Sequence, residues 1–265
     1  MEGRFFLGKA QGILSSHMIA VAHSAKENLT EMGVLPSKIS VIINGVEALR
    51  TVSETEKELL WKRLGISEND IVIGICARLE ACKGHACFLE AAEQLLQKNR
   101  SYRFLIVGDG SLRKSLEDFC RQKGIAQYVI FTGFCEDVAP YFHIMRINVN
   151  CSVGTETSSL ALSEGMSIGL PCVVSDYGGN PYMVRDGENG IVVPQNSPNA
   201  LTEAISLLCE DSVRYEALSQ GAKDRFLREL NAEAMTKKTE KLYGELFRQR
   251  RSKSEYRRCN REINE

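Results

Sequence analysis

Short apolar runs alternate with longer amphipathic stretches along most of this chain. The runs hold four to seven residues and are rich in Val and Ile, as at 71–77 (IVIGICA) and 104–107 (FLIV). Near-continuous apolar runs of this length are typical of strands that are covered on both faces. Further strands are predicted at 128–131, 147–150, 171–175 and 190–193.

The stretches between these runs show helical periodicity. Leu112, Leu116 and Phe119, for example, share one face of a helix. Helices are predicted over 85–98, 111–123, 199–209, 212–228 and 231–247. Strands that alternate with helices in this way predict an α/β fold with a doubly wound parallel sheet, which we assign to residues 58–230.

Both ends of the chain depart from this pattern. Strands are predicted at 18–22 and 39–43 with a helix over 24–32, and two strands and a helix cannot bury a core alone. Residues 1–46 therefore either extend the main sheet or complete another domain. The charged stretch 47–57 is predicted to be a linker, and the basic residues 248–265 a disordered tail.

Charge and cysteine content narrow the classes of function. The 33 Lys and Arg residues balance 34 Asp and Glu residues, which argues against a nucleic-acid partner. The nine cysteines include no CxxC pair, so we expect free thiols and no metal site. The sequence shows neither an apolar run of 18 residues nor the apolar core of a signal peptide. We therefore expect a cytoplasmic location.

Two cations follow the first long strand directly. Arg78 and Lys83 stand there, with Gly84 next in the sequence. Ligands of open α/β sheets bind beyond the carboxyl ends of the strands. Because Arg grips phosphate oxygens in pairs and Lys adds a point charge, this position suits a diphosphate. A solvated loop with ordinary surface charges is the alternative.

A glycine-rich turn follows the second long strand. Gly108 and Gly110 resemble the start of a dinucleotide fingerprint, but Arg113 stands where its third glycine would be. A dehydrogenase-like cofactor site is therefore disfavoured. A tight turn from strand to helix explains both glycines equally well.

Residues 154–164 hold the densest set of polar side chains. Ser158 and Ser159 are predicted to cap a helix that begins near residue 158, and its free amides favour an anion. If Glu156 and Glu164 were both helical, about 12 Å would separate them along the axis. Carboxylate pairs of glycoside hydrolases lie about 5–9.5 Å apart. The two carboxylates are therefore expected to hold different parts of one elongated ligand, with exposed surface carboxylates as the alternative.

In this order, the motifs resemble the C-terminal, donor-binding half of a retaining glycosyltransferase with the GT-B fold, of the family 4 type. Further matches complete the resemblance, over roughly residues 18–245: Asn44-Gly45-Val46, Phe131-x-Gly133, Gly165, Gly169-Leu170-Pro171, Ser175-Asp176, Gly178-Gly179 and Asp186-Gly187-x-Asn189-Gly190. The fold that the resemblance implies is Rossmann-like. The residues 231–247 match the family's last helix, which crosses back toward the N-terminal domain; packing entirely on its own domain is the alternative.

The resemblance implies a nucleoside-diphosphate sugar as donor, with a UDP-sugar favoured and no cofactor or metal ion. Arg78 and Lys83 would bind the diphosphate, Glu164 the ribose, and Glu156 would lie near the transferred sugar. The residues to which it assigns roles are, as catalytic, Arg78, Lys83 and Glu156 and, as donor-binding, Gly108, Gly110, Ser158, Ser159, Leu160 and Glu164.

The sequence departs from the family pattern at two places. Thr157-Ser158-Ser159 stands where Gly-Phe-Gly is frequent, and residues 1–46 match only the last elements of an N-terminal acceptor domain. We therefore expect a truncated or split hexosyltransferase of bacterial surface polysaccharide or glycolipid synthesis. Its acceptor would be a sugar or a lipid-linked sugar, and a second chain would supply the acceptor domain. A non-catalytic subunit that binds a nucleotide-sugar is the alternative, and the basic tail suggests weak contact with the inner membrane face.

Overall fold

The computed structural model describes the backbone of residues 12 and 14–264, and side chains as far as residue 251. Its strands are β1 (Met18–Ala20), β2 (Ile39–Val41), β3 (Ile71–Cys76), β4 (Tyr102–Val107), β5 (Val129–Gly133), β6 (Ile147–Asn150), β7 (Cys172–Ser175) and β8 (Gly190–Val193). Its helices are α1 (His23–Glu31), α2 (Glu54–Leu64), α3 (His85–Lys98), α4 (Arg113–Gln122), α5 (Ala139–Ile144), α6 (Leu160–Ser167), α7 (Asn180–Met183), α8 (Pro198–Glu210), α9 (Ser212–Arg225) and α10 (Ala232–Asn264). A π-helical turn, Phe226–Leu230, joins α9 to α10.

The main sheet contains six parallel strands in the order β5-β4-β3-β6-β7-β8. From β3 the chain builds outward through β4 to β5, and then returns to place β6 on the other side of β3. The predicted doubly wound parallel sheet is thereby confirmed. The order reverses between β3 and β6, and such a switch point leaves a crevice at the carboxyl ends of the two strands.

The apolar runs of the sequence are explained by the two layers that cover this sheet. Phe104 and Ile106 of β4 pack into a core with α3 and α8. Leu105 and Val107, their neighbours in the strand, enter a second core with α2 and α5. Because successive side chains point to opposite faces and both faces are buried, all four positions from Phe104 to Val107 are apolar.

The N-terminal segment forms a small separate sheet. Strands β1 and β2 pair in parallel, and α1 connects them. Ala20, Val34 and Ile39 form their own buried cluster. Strands β1 and β2 do not join the six-stranded sheet, so they do not extend it. That residues 1–46 complete another domain stays a prediction.

Helix α2 begins inside the segment predicted to be a linker, so that prediction is wrong at its C-terminal end. The Ser53 hydroxyl accepts a hydrogen bond from the Glu56 amide at 3.2 Å, and the Glu56 carboxylate accepts one from the Ser53 amide at 3.1 Å. This capping box starts the helix, and Gly65 in a left-handed conformation ends it. The capping residues outweigh the low apolar content of the stretch.

The last helix is tied to the N-terminal segment at its start. The amide of Val46 donates to the carbonyl of Leu230, and the amide of Ala232 donates to the carbonyl of Val46. The backbone then stays helical to Asn264, past the predicted end at 247, so the prediction of a disordered tail is wrong for 248–264. Arg, Lys and Glu are good helix formers, and extending an existing helix requires no apolar face.

Candidate functional site

A cavity of about 350 Å³ lies at the switch point, beyond the carboxyl ends of β3 and β6. Three parts of the chain line it: residues 75–78 with Lys83, residues 148–150, and Glu156 with residues 158–162. The two predicted cations and the predicted anion-binding turn are therefore brought together in one site. This is the position at which open α/β sheets bind their ligands.

The turn after β3 carries both cations and is held against β6. Lys83 ends a short 3-10 turn, and Gly84 follows it with φ of 69°. A Cβ atom on Gly84 would lie 2.0 Å from the carbonyl oxygen of Cys151. Only glycine fits both the left-handed backbone and this close approach. Gly84 therefore fixes how near Lys83 lies to the end of β6.

Gly108 and Gly110 do not line the cavity. A Cβ on Gly108 would lie 2.1 Å from the carbonyl oxygen of Ala77, and one on Gly110 would lie 2.6 Å from that of Leu79. Both glycines thus allow the β4–α4 turn to pack against the backbone on either side of Arg78. Their donor-binding role stays a prediction, while close packing accounts for their presence.

Glu156 is a buried carboxylate at the centre of the site. Its side chain is 6% exposed, and its Oε2 atom lies 2.8 Å from Lys83 Nζ. The same oxygen accepts hydrogen bonds from Asn150 Nδ2 at 3.1 Å and from Ser152 Oγ at 2.9 Å. Burial opposes ionisation of this carboxyl, but the three hydrogen bonds outweigh it, so its pKa lies below the ordinary value. Glu156 is therefore ionised at neutral pH.

Asn150 and Ser152 were missed by the sequence reasoning. A signal was present in the sequence, because Asn150 ends β6 and Ser152 follows two residues later. Both lie at the edge where ligands of such sheets bind. An asparagine and a serine after a buried strand are also common in ordinary turns. The sequence therefore could not separate the two roles.

The start of α6 forms the third wall, but not in the predicted way. The helix begins at Leu160, and Ser159 at its N-cap position makes no side-chain capping hydrogen bond. The prediction that Ser158 and Ser159 cap the helix is therefore wrong. The Ser158 hydroxyl is instead buried with no hydrogen-bond partner in the described part of the chain. The amide of Ser163 donates to the carbonyl of Ser159, and the amide of Ser159 donates to Met183 Sδ at 3.2 Å. Among the described residues, this leaves the amides of residues 160–162 for an anion.

Glu164 lies beside the cavity rather than among its lining residues. Burial raises the pKa of its carboxyl. Burial, together with the charge of Glu164, also raises the pKa of the Cys76 thiol on the cavity wall to about 12. The helical spacing of 12 Å assumed for Glu156 and Glu164 does not apply, because Glu156 precedes α6.

His85 follows Gly84 but does not line the cavity. Its side chain is buried at the start of α3, and both ring nitrogens lack a hydrogen-bond partner among the described residues. Burial, aided by the nearby charge of Lys83, lowers the pKa of His85 to about 4. The imidazole is therefore neutral at physiological pH.

Residues 12 and 14–264 contain neither a cluster of metal ligands nor a membrane-spanning helix. No group of three or more His, Cys, Asp and Glu side chains in this part of the chain is arranged to hold a metal ion. None of the helices there is both long enough and apolar enough to cross a bilayer.

The fold agrees with comparisons to known proteins. A family model described as "Glycosyl transferases group 1" matches residues 70–211, more than half of the 265 residues, and the chain belongs to that family. A UDP-Gal:alpha-D-GlcNAc-diphosphoundecaprenol alpha-1,3-galactosyltransferase from Escherichia coli is 28% identical over 234 residues. These residues cover 86% of this chain and 60% of the relative.

Solved structures confirm the predicted GT-B type of fold. The crystal structure of Anabaena HepE in complex with UDP and glucose matches 91% of this chain and 66% of that chain, with a TM-score of 0.84 and 21% identity. The C-terminal domain of a group 1 glycosyl transferase (LpcC) from Francisella tularensis matches with a TM-score of 0.61 and 24% identity. That match covers 71% of this chain and 97% of the domain. The resemblance to the C-terminal half of a GT-B glycosyltransferase is therefore confirmed.

The chain is shorter than its relatives. It spans between 53% and 60% of the length of three curated relatives that it matches. The matches therefore compare this chain with only part of each relative.

Proposed function

We propose that the switch-point cavity binds a nucleoside-diphosphate sugar and that the chain takes part in retaining transfer of its hexosyl group. One observation carries this proposal. Arg78, Lys83 and the free amides at the start of α6 surround a single cavity of about 350 Å³. Two cations and a helix N-terminus are a suitable arrangement for a diphosphate. Retention rests on the family 4 resemblance.

The residues of the cavity can stabilise the leaving group. When the bond between sugar and diphosphate breaks, negative charge grows on the phosphate oxygens. Arg78, Lys83 and the amides of α6 are already in place to bind that charge. Lys83 has three N–H donors, so it can contact a phosphate while it keeps its ion pair with Glu156.

Glu156 is suited to orienting the transferred sugar. Its three hydrogen bonds from Lys83, Asn150 and Ser152 all end on Oε2. The other carboxylate oxygen, Oε1, is then available to accept a hydrogen bond from a sugar hydroxyl. Glu164, beside the same cavity, is proposed to bind the ribose of the nucleotide.

A UDP-sugar is the donor that we favour, and no further cofactor is proposed. UDP and glucose bound to Anabaena HepE, and the UDP-Gal in the name of the E. coli relative, support this choice. The name of the same relative also mentions GlcNAc linked to diphosphoundecaprenol, a lipid-linked sugar. It supports a lipid-linked acceptor and a role in surface polysaccharide or glycolipid synthesis, at the cytoplasmic membrane face.

A second candidate function is a non-catalytic subunit that binds nucleotide-sugar for a partner. The observation that favours it is that Arg78, Lys83 and the start of α6 are sufficient to bind a diphosphate without any transfer. In this case an acceptor domain on another chain would complete the cleft. Turnover of the lone chain and of the chain with such a partner would separate the two functions.

Native mass spectrometry with UDP-glucose, UDP-galactose, GDP-mannose, ADP-glucose and NAD tests the proposed ligand. We expect at least one nucleotide-sugar to bind and NAD not to bind. Arg78→Ala should weaken binding, whereas Lys114→Ala, which removes an exposed cation on α4, should not. Binding of NAD alone, or no binding of any nucleotide-sugar, would overturn the proposal.

A further inference from the structure

Buried amides and hydroxyls surround Glu156 behind the cavity wall. Asn150 and Ser152 come from the end of β6, Ser175 ends β7, and Asn180 begins α7. Ser152 and Asn180 are fully buried, and Ser175 is 3% exposed. Asn180 Nδ2 lies 3.3 Å from Asn150 Oδ1 and 3.1 Å from Ser175 Oγ. The network therefore joins two strands and a helix around one carboxylate.

The direction of every hydrogen bond in this network is determined. The single hydroxyl proton of Ser175 is donated to the carbonyl of Ser152 at 2.6 Å, so Ser175 Oγ can only accept from Asn180. Asn180 must therefore turn its NH₂ group toward Ser175 and Asn150. Asn150 then faces Asn180 with its carbonyl oxygen and Glu156 with its NH₂ group. The chain of donors thus runs from Asn180 to Asn150 to Glu156.

Packing alone does not account for an asparagine at position 180. Its Oδ1 atom is buried without a hydrogen-bond partner in the described part of the chain. A buried unpaired carbonyl costs stability that an apolar side chain of similar size would avoid. The NH₂ group, by contrast, has both of its donors in use. The two hydrogen bonds that its NH₂ group donates therefore account for an asparagine at position 180.

The position of Asn180 relative to Glu156 is set by two glycines. The amide of Gly179 donates to the carbonyl of Glu156 at 3.1 Å. A Cβ on Gly179 would lie 1.7 Å from the carbonyl oxygen of Thr157, and one on Gly178 would lie 2.1 Å from that of Glu156. The loop that carries Glu156 is thus held in close contact with the start of α7.

We propose that Asn180 is a positioning residue: through Asn150 it directs a hydrogen bond onto Glu156 Oε2 and so leaves Oε1 to the ligand. The proposal rests on the proposed function for what Oε1 binds, but not for the hydrogen bonds themselves. Asn180 touches neither the cavity nor the reacting atoms. Its second hydrogen bond, to Ser175, leads to the backbone carbonyl of Ser152 rather than to Glu156, so the proposed effect on Glu156 passes through Asn150.

The protonation of Glu156 reports directly on this hydrogen bond. Lys83 is the charged group that contacts Glu156 among the described residues, and Arg78 lines the same cavity. The hydrogen bond from Asn150 is one of the causes that lower the pKa of Glu156. Asn150 Oδ1 accepts hydrogen bonds from Asn180 at 3.3 Å and from the Ser152 amide at 3.0 Å. When Asn180 is removed, only the Ser152 amide still orients Asn150, so its hydrogen bond to Glu156 weakens and the pKa of Glu156 rises.

Carbon-13 NMR of the Glu156 carboxyl measures that change without a ligand. The resonance is assigned with Glu156→Gln and followed across acidic pH in the full chain. We expect Asn180→Ala to raise the midpoint of its titration by about half a unit, a threefold change in its dissociation constant. Asn189→Ala is the matched control, because Asn189 is also buried but bonds to Met183 and Met166 instead. It should leave the midpoint where it is.

A double variant separates positioning from general loosening. In an Asn150→Ala background, Asn180→Ala should move the midpoint no further, because its effect passes through Asn150. Asn180→Leu keeps the branching at Cγ without the two donors and serves as the second variant where the alanine variant does not fold. An unchanged midpoint in both Asn180 variants, or equal shifts in Asn189→Ala, would overturn the proposal.

Calorimetric titration with UDP and with UDP-glucose then tests the link to function. Asn180→Ala should weaken binding of UDP-glucose about threefold more than binding of UDP, because only the sugar meets Glu156. If the wild-type chain binds neither compound, the favoured UDP-sugar donor is excluded, while the NMR result still decides the role of Asn180. If both compounds weaken equally, Oε1 does not serve the sugar.

Discussion

The two walls of the cavity are built on different physical principles. The wall after β3 presents Arg78 and Lys83 from a short turn, next to a glycine that allows close approach. The wall after β6 holds Glu156 through a buried network that includes Asn150 and Ser152. An exposed charge on a turn, such as Arg78, can be exchanged at little cost to the fold, whereas groups in a buried network, which Lys83 joins through Glu156, depend on one another. Binding and stability should therefore respond differently on the two sides.

The largest effect is expected where the two walls meet. Gly84→Ala places a methyl group 2.0 Å from the carbonyl oxygen of Cys151 and should cost about 3 kcal/mol or more of unfolding free energy. Gly65→Ala is the matched control, because its φ of 67° is similar but nothing lies within 4 Å of the added atom. It should cost only about 1 kcal/mol. Urea denaturation measures both, and equal losses would show that the walls can move apart freely.

The two cations should differ in what they support. Lys83→Ala leaves the buried Glu156 charge without its ion pair and should cost about 3 kcal/mol of stability, as well as ligand affinity. Arg78→Ala should weaken binding of UDP-glucose by about 1.5–3 kcal/mol and leave the unfolding free energy nearly unchanged. Thermal unfolding and calorimetry separate the two effects. A stable Lys83→Ala protein would contradict the dependence of the β6 wall on this pair.

A pH effect is expected from the β3 side. His85 has a pKa lowered to about 4, below its unfolded value of about 6.5, so the unfolded chain binds more protons between these values. Stability contributed by the neutral imidazole is complete above pH 6.5 and falls as pH drops toward 4, by at most about 1.4 kcal/mol per pH unit.

Denaturation at several pH values tests this effect. His85→Leu should flatten the loss of stability between pH 6.5 and 4, because no buried imidazole is left to take up a proton. His143→Leu is the control and should retain the wild-type slope. If the slopes of wild type and His85→Leu agree, another group causes the acid sensitivity.

The smallest effect is expected at the start of α6. Ser158 and Ser163 both have buried hydroxyls without a partner among the described residues, but only Ser158 lines the cavity. Ser158→Ala should weaken binding of UDP by about 1 kcal/mol, and Ser163→Ala should not change it. Neither should reduce stability by more than about 0.5 kcal/mol. Calorimetry with UDP compares them, and a loss of affinity in Ser163→Ala would mean that the helix rather than the hydroxyl is responsible.

Much of the main domain could be predicted because its signals are local. The strand at 147–150 and the helix at 85–98 were predicted with the bounds that the structure shows. Short runs rich in Val and Ile are typical of strands that are covered on both faces. Helix α2 was not predicted because its apolar content is low. Its start depends on the capping box of Ser53 and Glu56 instead.

The candidate site divides in the same way. Arg78 and Lys83 could be assigned to it because a parallel sheet brings every strand's carboxyl end to one edge, whatever the details of packing. The pairing of Lys83 with Glu156, the uncapped start of α6 and the place of Asn180 could not be assigned. The pair of Lys83 and Glu156 joins residues 73 positions apart, and the hydrogen bond from Asn180 to Asn150 joins residues 30 positions apart. Both depend on burial and on hydrogen-bond direction in the folded chain. Periodicity and motif spacing predict the order of strands and helices in this chain. The protonation of each charged side chain depends instead on neighbours that only folding brings within about 3 Å.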